Sequence, residues 1–271
     1  MRSVKFLIAA FLFSAAQNLA SYAESPTSPE LKALLNKVDI LSRRNDYEAA
    51  IPIADAAVAK FPNDYTAHVR RGLVNLYLEE EEKAIADFQW ALKRKPDDWS
   101  VLESLSTAYS IIGKQDLALK YIDISIAKRK TKGQEADGWM KRKDILKRMK
   151  RYKEAEEATT RGLNLGSIPH WHLERMKLRV ENANWPGVIE DANHIIALMP
   201  KHRERIVEAR AKAYIGLKRY PEAERDLNEL IKSAPGFEVY HRERLRLYTL
   251  EGKKDLAKKE EQIIKGLGDG I

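Results

Sequence analysis

A small residue returns along this chain at an almost fixed interval, and that interval constrains the fold more than any other feature. Ala50, Ala84, Ala118, Ala155, Val188, Ala223 and Ala257 are separated by 34, 34, 37, 33, 35 and 34 residues. Prolines keep the same beat: Pro62, Pro96, Pro200 and Pro235 each stand 12 residues after their small residue. Within "AIADFQWALKRKP", residues 84–96, Ala84, Phe88 and Ala91 fall on one stripe of an α-helix. Small residues on that stripe let another helix approach closely, and Pro96 forbids continuation. The segment therefore reads as the second helix of a hairpin. First helices lie upstream, as in "VRRGLVNLY", "LESLSTAYS" and "ARAKAYIGL". A turn with an aromatic precedes the second helix in "NDYEAA", "KRYKEAE", "ANWPGV" and "KRYPEAE". Units of this size bury their apolar faces only by stacking on one another.

The pattern resembles the tetratricopeptide repeat (TPR) family, whose unit is two antiparallel helices. Trp139 matches the family's aromatic early in the first helix. Gly72, Ser106 and Ala211 match its small residue one turn on, Tyr109, Tyr214 and Tyr248 the aromatic after that, and the recurring alanines the small residue of the second helix. The resemblance implies an all-α, TPR-type α-solenoid, a right-handed superhelix of about seven helix-turn-helix repeats. Their approximate bounds are 31–64, 65–98, 99–132, 136–168, 169–202, 204–237 and 238–271. The first and fifth units depart from the pattern: Lys37-Val38 replaces a hydrophobic-glycine pair, and Val188 replaces the alanine.

The N-terminus is different in kind. Arg2 and Lys5 precede an apolar run from Phe6 to Ala16, and Ser21-Tyr22-Ala23 supplies small residues at the last and third-last places. This is the pattern of a secretory signal peptide over 1–23, cleaved after Ala23, and the apolar run is short for a membrane span. Residues 24–30, "ESPTSPE", read as a polar linker, with Ser28-Pro29 an N-cap and first helical proline. The chain has no cysteine and no Asn-x-Ser/Thr site. With export, these lean toward a bacterial envelope protein, periplasmic or secreted.

The 271 residues exceed what one compact core usually holds, a limit that stacked repeats escape. The formal charge is +8; the leader carries +2 of it, leaving +6 on the mature chain. Export makes nucleic acid an unsuitable partner for that excess. Of the six histidines only His170 and His172 are close, and two residues apart they point to different helix faces. No phosphate loop, G-x-S-x-G elbow or H-E-x-x-H motif occurs. The acidic run at 79–83 reads as a solvated turn. No enzyme activity, cofactor or metal is expected.

In the family the first helices line a concave groove, so the resemblance assigns ligand-facing places. In the first three units these fall on Lys32, Leu35, Asp39, Val69, Leu73, Leu76, Glu103, Thr107 and Ser110. In the last four they fall on Asp137, Asp144, Lys147, Lys177, Arg205, Glu208, Lys212, Arg242 and Arg246. Lys147, Lys177, Lys212, Arg242 and Arg246 are the candidate partner-binding residues. Either they pair with neighbouring glutamates and merely solvate the helices, or they form a basic surface for an acidic segment. Leu35, Asp39, Val69 and Leu73 stand where a two-carboxylate clamp needs Lys and Asn, so that clamp is not expected. Trp90 and Trp99 read as packing between repeats. In the last helix Leu256, Ile263 and Ile264 are expected inward, with Lys258, Lys259, Glu260 and Glu261 outward. The leading expectation is an exported scaffold or adaptor for a protein or peptide partner, touching a membrane only through that partner. The alternative is an accessory factor binding an anionic envelope polymer or lipid head group. The oligomeric state stays open.

Overall fold

The computed structural model describes residues 28–166, 168–199 and 203–268. The leader, residues 24–27 of the linker, Pro200 and His202 lie outside the described residues. Among the described residues there are fourteen α-helices and no strand. They gather into two compact units, one ending at Met149 and the other starting at Lys150, so the division falls inside the fourth expected repeat.

The first unit holds α1 (Pro29–Arg43), α2 (Tyr47–Lys60), α3 (Tyr65–Tyr77), α4 (Glu81–Leu92), α5 (Trp99–Ile111), α6 (Gln115–Lys128) and α7 (Lys132–Arg148). The second holds α8 (Tyr152–Leu165), α9 (Pro169–Glu181), α10 (Trp185–Leu198), α11 (Glu204–Gly216), α12 (Tyr220–Ser233), α13 (Glu238–Glu251) and α14 (Lys254–Gly268). Within each unit every helix packs on the next, and α1 also touches α3, α3 touches α5, and α11 touches α13. Odd-numbered helices are the first helices of the repeats.

Starts and stops follow local chemistry. Ser28 Oγ accepts from Leu31 N at 3.1 Å, with Pro29 in the first turn. Asp64 and Asp98 cap α3 and α5 in the same way, accepting from Ala67 N at 2.8 Å and Ser100 N at 2.9 Å. After each first helix one residue takes a left-handed backbone: Asn45, Glu79, Gly113, Lys150, Ala183, Lys218 and Gly252. The following amide bonds back to the helix, as Asp46 N to Leu41 O (3.0 Å) and Asn184 N to Arg179 O (2.8 Å) do. This Schellman closure turns the chain into the second helix, and only two of the seven positions carry the glycine that suits it. Ala183, at φ 52°, holds this conformation with a Cβ and nothing else to offset it. Ala183→Gly is expected to stabilise the protein by about 0.5–1 kcal/mol. A thermal melting midpoint one or more degrees above wild type checks this.

The small-residue stripe does what its spacing predicts. Ala50, Ala84, Ala118, Ala155, Val188 and Ala223 are fully buried. At the α5–α6 crossing Ser106 Oγ donates to Ala118 O at 2.7 Å. Gly72 serves the same end in α3: a Cβ there would stand 2.7 Å from the ring of Phe88, which is wholly buried. Trp90 and Trp99 correct the expectation of packing between repeats. Trp90 stacks on His68 of its own hairpin at 3.6 Å, and Trp99 lies 4.6 Å from Arg129 of its own.

The last helix also differs from expectation. Glu260 is buried and Ile263 is exposed, while Leu256 and Ile264 are half-buried. The register explains it. The third residue after each small residue faces its own first helix, as Asp87, Asp191 and Asp226 do. The sixth points outward, as Arg161, His194 and Glu229 do.

Candidate partner-binding face

The five candidate cations sit on first helices. Lys147 is on α7 in the first unit; Lys177 (α9), Lys212 (α11), Arg242 and Arg246 (α13) are in the second. Each of these four meets an acid close by. Lys177 Nζ donates to Glu174 at 2.9 Å, and Lys212 Nζ to Glu208 at 2.6 Å. Arg242 Nε donates to Glu238 at 2.7 Å, and Arg246 lies 3.7 Å from Glu243. Lys212 also reaches Glu243 at 3.6 Å, which joins α11 to α13. The structure thus brings Lys212, Arg246 and Glu243 into one network, whereas the ion pair of Lys177 is confined to α9. Burial pulls Lys212 down, but the hydrogen bond and charge of Glu208 and the charge of Glu243 outweigh it and hold the amine above its usual range.

Every pair has the same polarity toward water. Side-chain exposures are 57% for Lys177 against 13% for Glu174, 66% for Arg242 against 39% for Glu238, and 62% for Arg246 against 17% for Glu243. The carboxylates lie against the helices and the cations stand over them, so an approaching group meets positive charge first. In the first unit the ligand-facing places are mostly closed. Leu35, Val69, Leu76, Glu103 and Ser110 are buried, and Asp39 is held by a fork from Arg70 at 2.6 and 2.8 Å.

Four arginines outside the candidate set are committed to packing. Arg71, Arg175, Arg210 and Arg244 grip the buried acids Asp87, Asp191, Asp226 and Glu260 of their own hairpins, with contacts of 2.7–2.9 Å. The same guanidiniums reach back to the preceding second helix: to Asp55 at 3.4 Å, Thr160 at 3.3 Å, Asn193 at 2.7 Å and Asn228 at 2.7 Å. His68, His172 and His241 bring Nδ1 to three of the acids at 2.7, 3.1 and 2.9 Å. The hydrogen bond to Asp87 above all holds Arg71 above its ordinary range, and Asp226 does so for Arg210. These clamps tie first helix to second and repeat to repeat with charge-assisted bonds.

The clamps are visible in the sequence as H-x-x-R followed 16 residues later by Asp or Glu, in "HVRR", "HLER" and "HRER". Reading the histidines as scattered misses it. Among the described residues no group of three His, Cys, Asp or Glu side chains is placed to hold a metal, and no helix is long and apolar enough to cross a membrane.

Residues 35–98 match the tetratricopeptide repeat family model. The chain is 26% identical over 261 residues to the DnaJ homolog subfamily C member 7 homolog of Schizosaccharomyces pombe, covering 94% of this chain and 49% of that protein. It is 34% identical over 97 residues to DnaJ homolog subfamily C member 3 of Gallus gallus, covering 35% of this chain and 19% of that one. It therefore spans about half the length of the first relative and about a fifth of the second. Among solved structures, the C-terminal part of a TPR repeat-containing protein from Cytophaga hutchinsonii aligns with TM-score 0.66 and 17% identity, covering 88% of this chain and 96% of that one. A tetratricopeptide repeat protein from Parabacteroides merdae aligns with TM-score 0.56 and 18% identity, over the same shares. YrrB, described as a TPR protein with an unusual peptide-binding site, aligns with TM-score 0.56 and 12% identity, covering 70% of this chain and 97% of that one. The fold is all-α, of the tetratricopeptide-solenoid class.

Proposed function

We propose that this protein is an exported, non-enzymatic scaffold that binds a protein partner through an acidic segment, in the assembly or maintenance of a bacterial cell envelope. The face that receives the segment is the set of exposed cations on α9, α11 and α13. One observation carries the reading: in the Lys177, Arg242 and Arg246 pairs the cation stands outside its carboxylate. Such pairs are weak at a wet surface, so an acidic ligand exchanges one carboxylate for another at little cost. Repeat arrays offer extended surfaces of this kind, and YrrB's description as peptide-binding is in keeping with it. Export rests on the basic, apolar and small-residue order of residues 1–23.

The test begins with a pull-down from envelope extract, with the partner identified by mass spectrometry. Lys177→Glu with Lys212→Glu is then expected to weaken binding at least tenfold with helicity unchanged. Lys259→Glu with Lys265→Glu on α14 serves as the control. Equal weakening by both doubles would reduce the effect to net charge, and weakening by neither would place the site elsewhere. Salt separates the rival ligand: an anionic polymer or lipid head group dissociates steeply as salt rises, whereas a peptide with apolar anchors holds.

A further inference from the structure

In the first unit, α5, the end of α6 and α7 enclose one carboxylate between two cations. Glu103 on α5 is 4% exposed. Arg129, the residue that caps α6, and Lys141 on α7 both pair with it. Trp99 lies against the guanidinium, and Arg129 Nη1 donates to the carbonyl of Gln134. The other acids that bear on Lys141, Asp137 and Asp144, are on α7 itself. Asp137 is exposed, and Asp144 is half in water and bonded to Lys143 at 2.9 Å. Water screens both. Glu103 neutralises one cation, and the second is left as surplus charge in a place with little solvent. A guanidinium keeps its proton where an amine yields it. Burial foremost, then the charge of Arg129, pulls Lys141 down to about 7, whereas burial pulls Arg129 only to about 10.

We propose that Lys141 is an acylation site, taking a small acyl group from an activated donor such as a thioester or an anhydride. The unprotonated Nζ attacks the donor's carbonyl carbon. The C–N bond forms, the bond to sulfur or oxygen breaks, and the proton released from nitrogen leaves with the thiolate or carboxylate. The product is a neutral amide. It leaves Glu103 and Arg129 as a one-to-one pair, so the modification removes the surplus charge from the cluster. The Lys141 side chain keeps 15% of its surface open, which admits a short acyl donor.

Trace acetic anhydride applied to the folded protein near pH 7.5, followed by peptide mass spectrometry, tests this directly. An ordinary lysine is unprotonated about one time in a thousand at that pH, so Lys141 is expected to gain at least roughly tenfold more acetyl than Lys258, Lys259 or Lys265. Labelling no faster than on those exposed lysines overturns the proposal. Arg129→Gln leaves Glu103 to Lys141 alone and is expected to bring its labelling down to the α14 level; unchanged labelling would show that Arg129 plays no part. Should that variant not fold, Lys141→Met supplies the second readout. Between about pH 7 and the ordinary lysine range the folded chain binds fewer protons at Lys141 than the unfolded chain, so stability rises with pH in that window. The wild-type melting midpoint is expected to climb from pH 7 to pH 9.5 relative to Lys141→Met. Parallel pH curves overturn the proposal.

Discussion

Ala118→Arg is expected to cost about 3–5 kcal/mol, the cost of overpacking a close helix crossing and burying a charge there. Ala118 has no exposed surface, and its carbonyl accepts the Ser106 hydroxyl at 2.7 Å across the α5–α6 interface. A side chain seven heavy atoms long has no free volume at that crossing, and its guanidinium would arrive with no carboxylate placed for it. Either the helices part, which breaks the Ser106 bond, or the arginine lies unpaired in the interior. By circular dichroism the melting midpoint should fall by roughly 10 °C for a chain of this size. Glu82→Arg, at an exposed site on α4, is the comparison that moves little. A melting curve for Ala118→Arg that overlays wild type would mean that the recurring alanines face water.

The difference between those two sites is legible in the residue spacing alone, and the reason is geometric. A helix crossing as close as those at Ala84 or Ala223 admits only small side chains, so the constraint returns at each period and is read as a rhythm. Caps are legible for a similar reason: Ser28, Asp64 and Asp98 act on amides two or three residues away. The left-handed turn residues are hidden because Asn45, Glu79, Lys150, Ala183 and Lys218 occupy a place that glycine would have announced. The buried acids are hidden for another reason. Asp87 or Asp191 reads as surface until its partner is known, and Arg71 or Arg175 lies 16 residues back on another helix. The candidate face lies between these cases. Lys177, Lys212, Arg242 and Arg246 can be placed on first helices from the period alone. That each cation stands outward of its glutamate depends on rotamers, which no spacing records.

The acid that should prove hardest to lose is Asp191. It has no exposed surface, and it receives Arg175 Nη2 at 2.7 Å, Arg179 Nη1 at 2.8 Å and the ring of His172 at 3.1 Å. Asp191→Ala strands the Arg175 guanidinium, whose side chain is only 8% exposed and which keeps just Thr160 at 3.3 Å and Glu190 at 3.9 Å. Arg179 is better insured, with Glu156 at 3.0 Å and the carbonyl of Gly187 at 2.8 Å. Removing one partner of a buried ion pair typically costs about 3–5 kcal/mol, and that is the loss expected in urea unfolding. Asp226→Ala should cost less, because Arg210 is 18% exposed and keeps Asn193 at 2.7 Å. The cause can be separated from simple loss of packing by adding Arg175→Met. A stranded cation predicts that Asp191→Ala with Arg175→Met is more stable than Asp191→Ala alone, since apolar replacement of both members of a buried pair is often close to neutral. A double variant weaker than the single would show that Arg175 holds the α9–α10 hairpin by its contacts rather than by its charge.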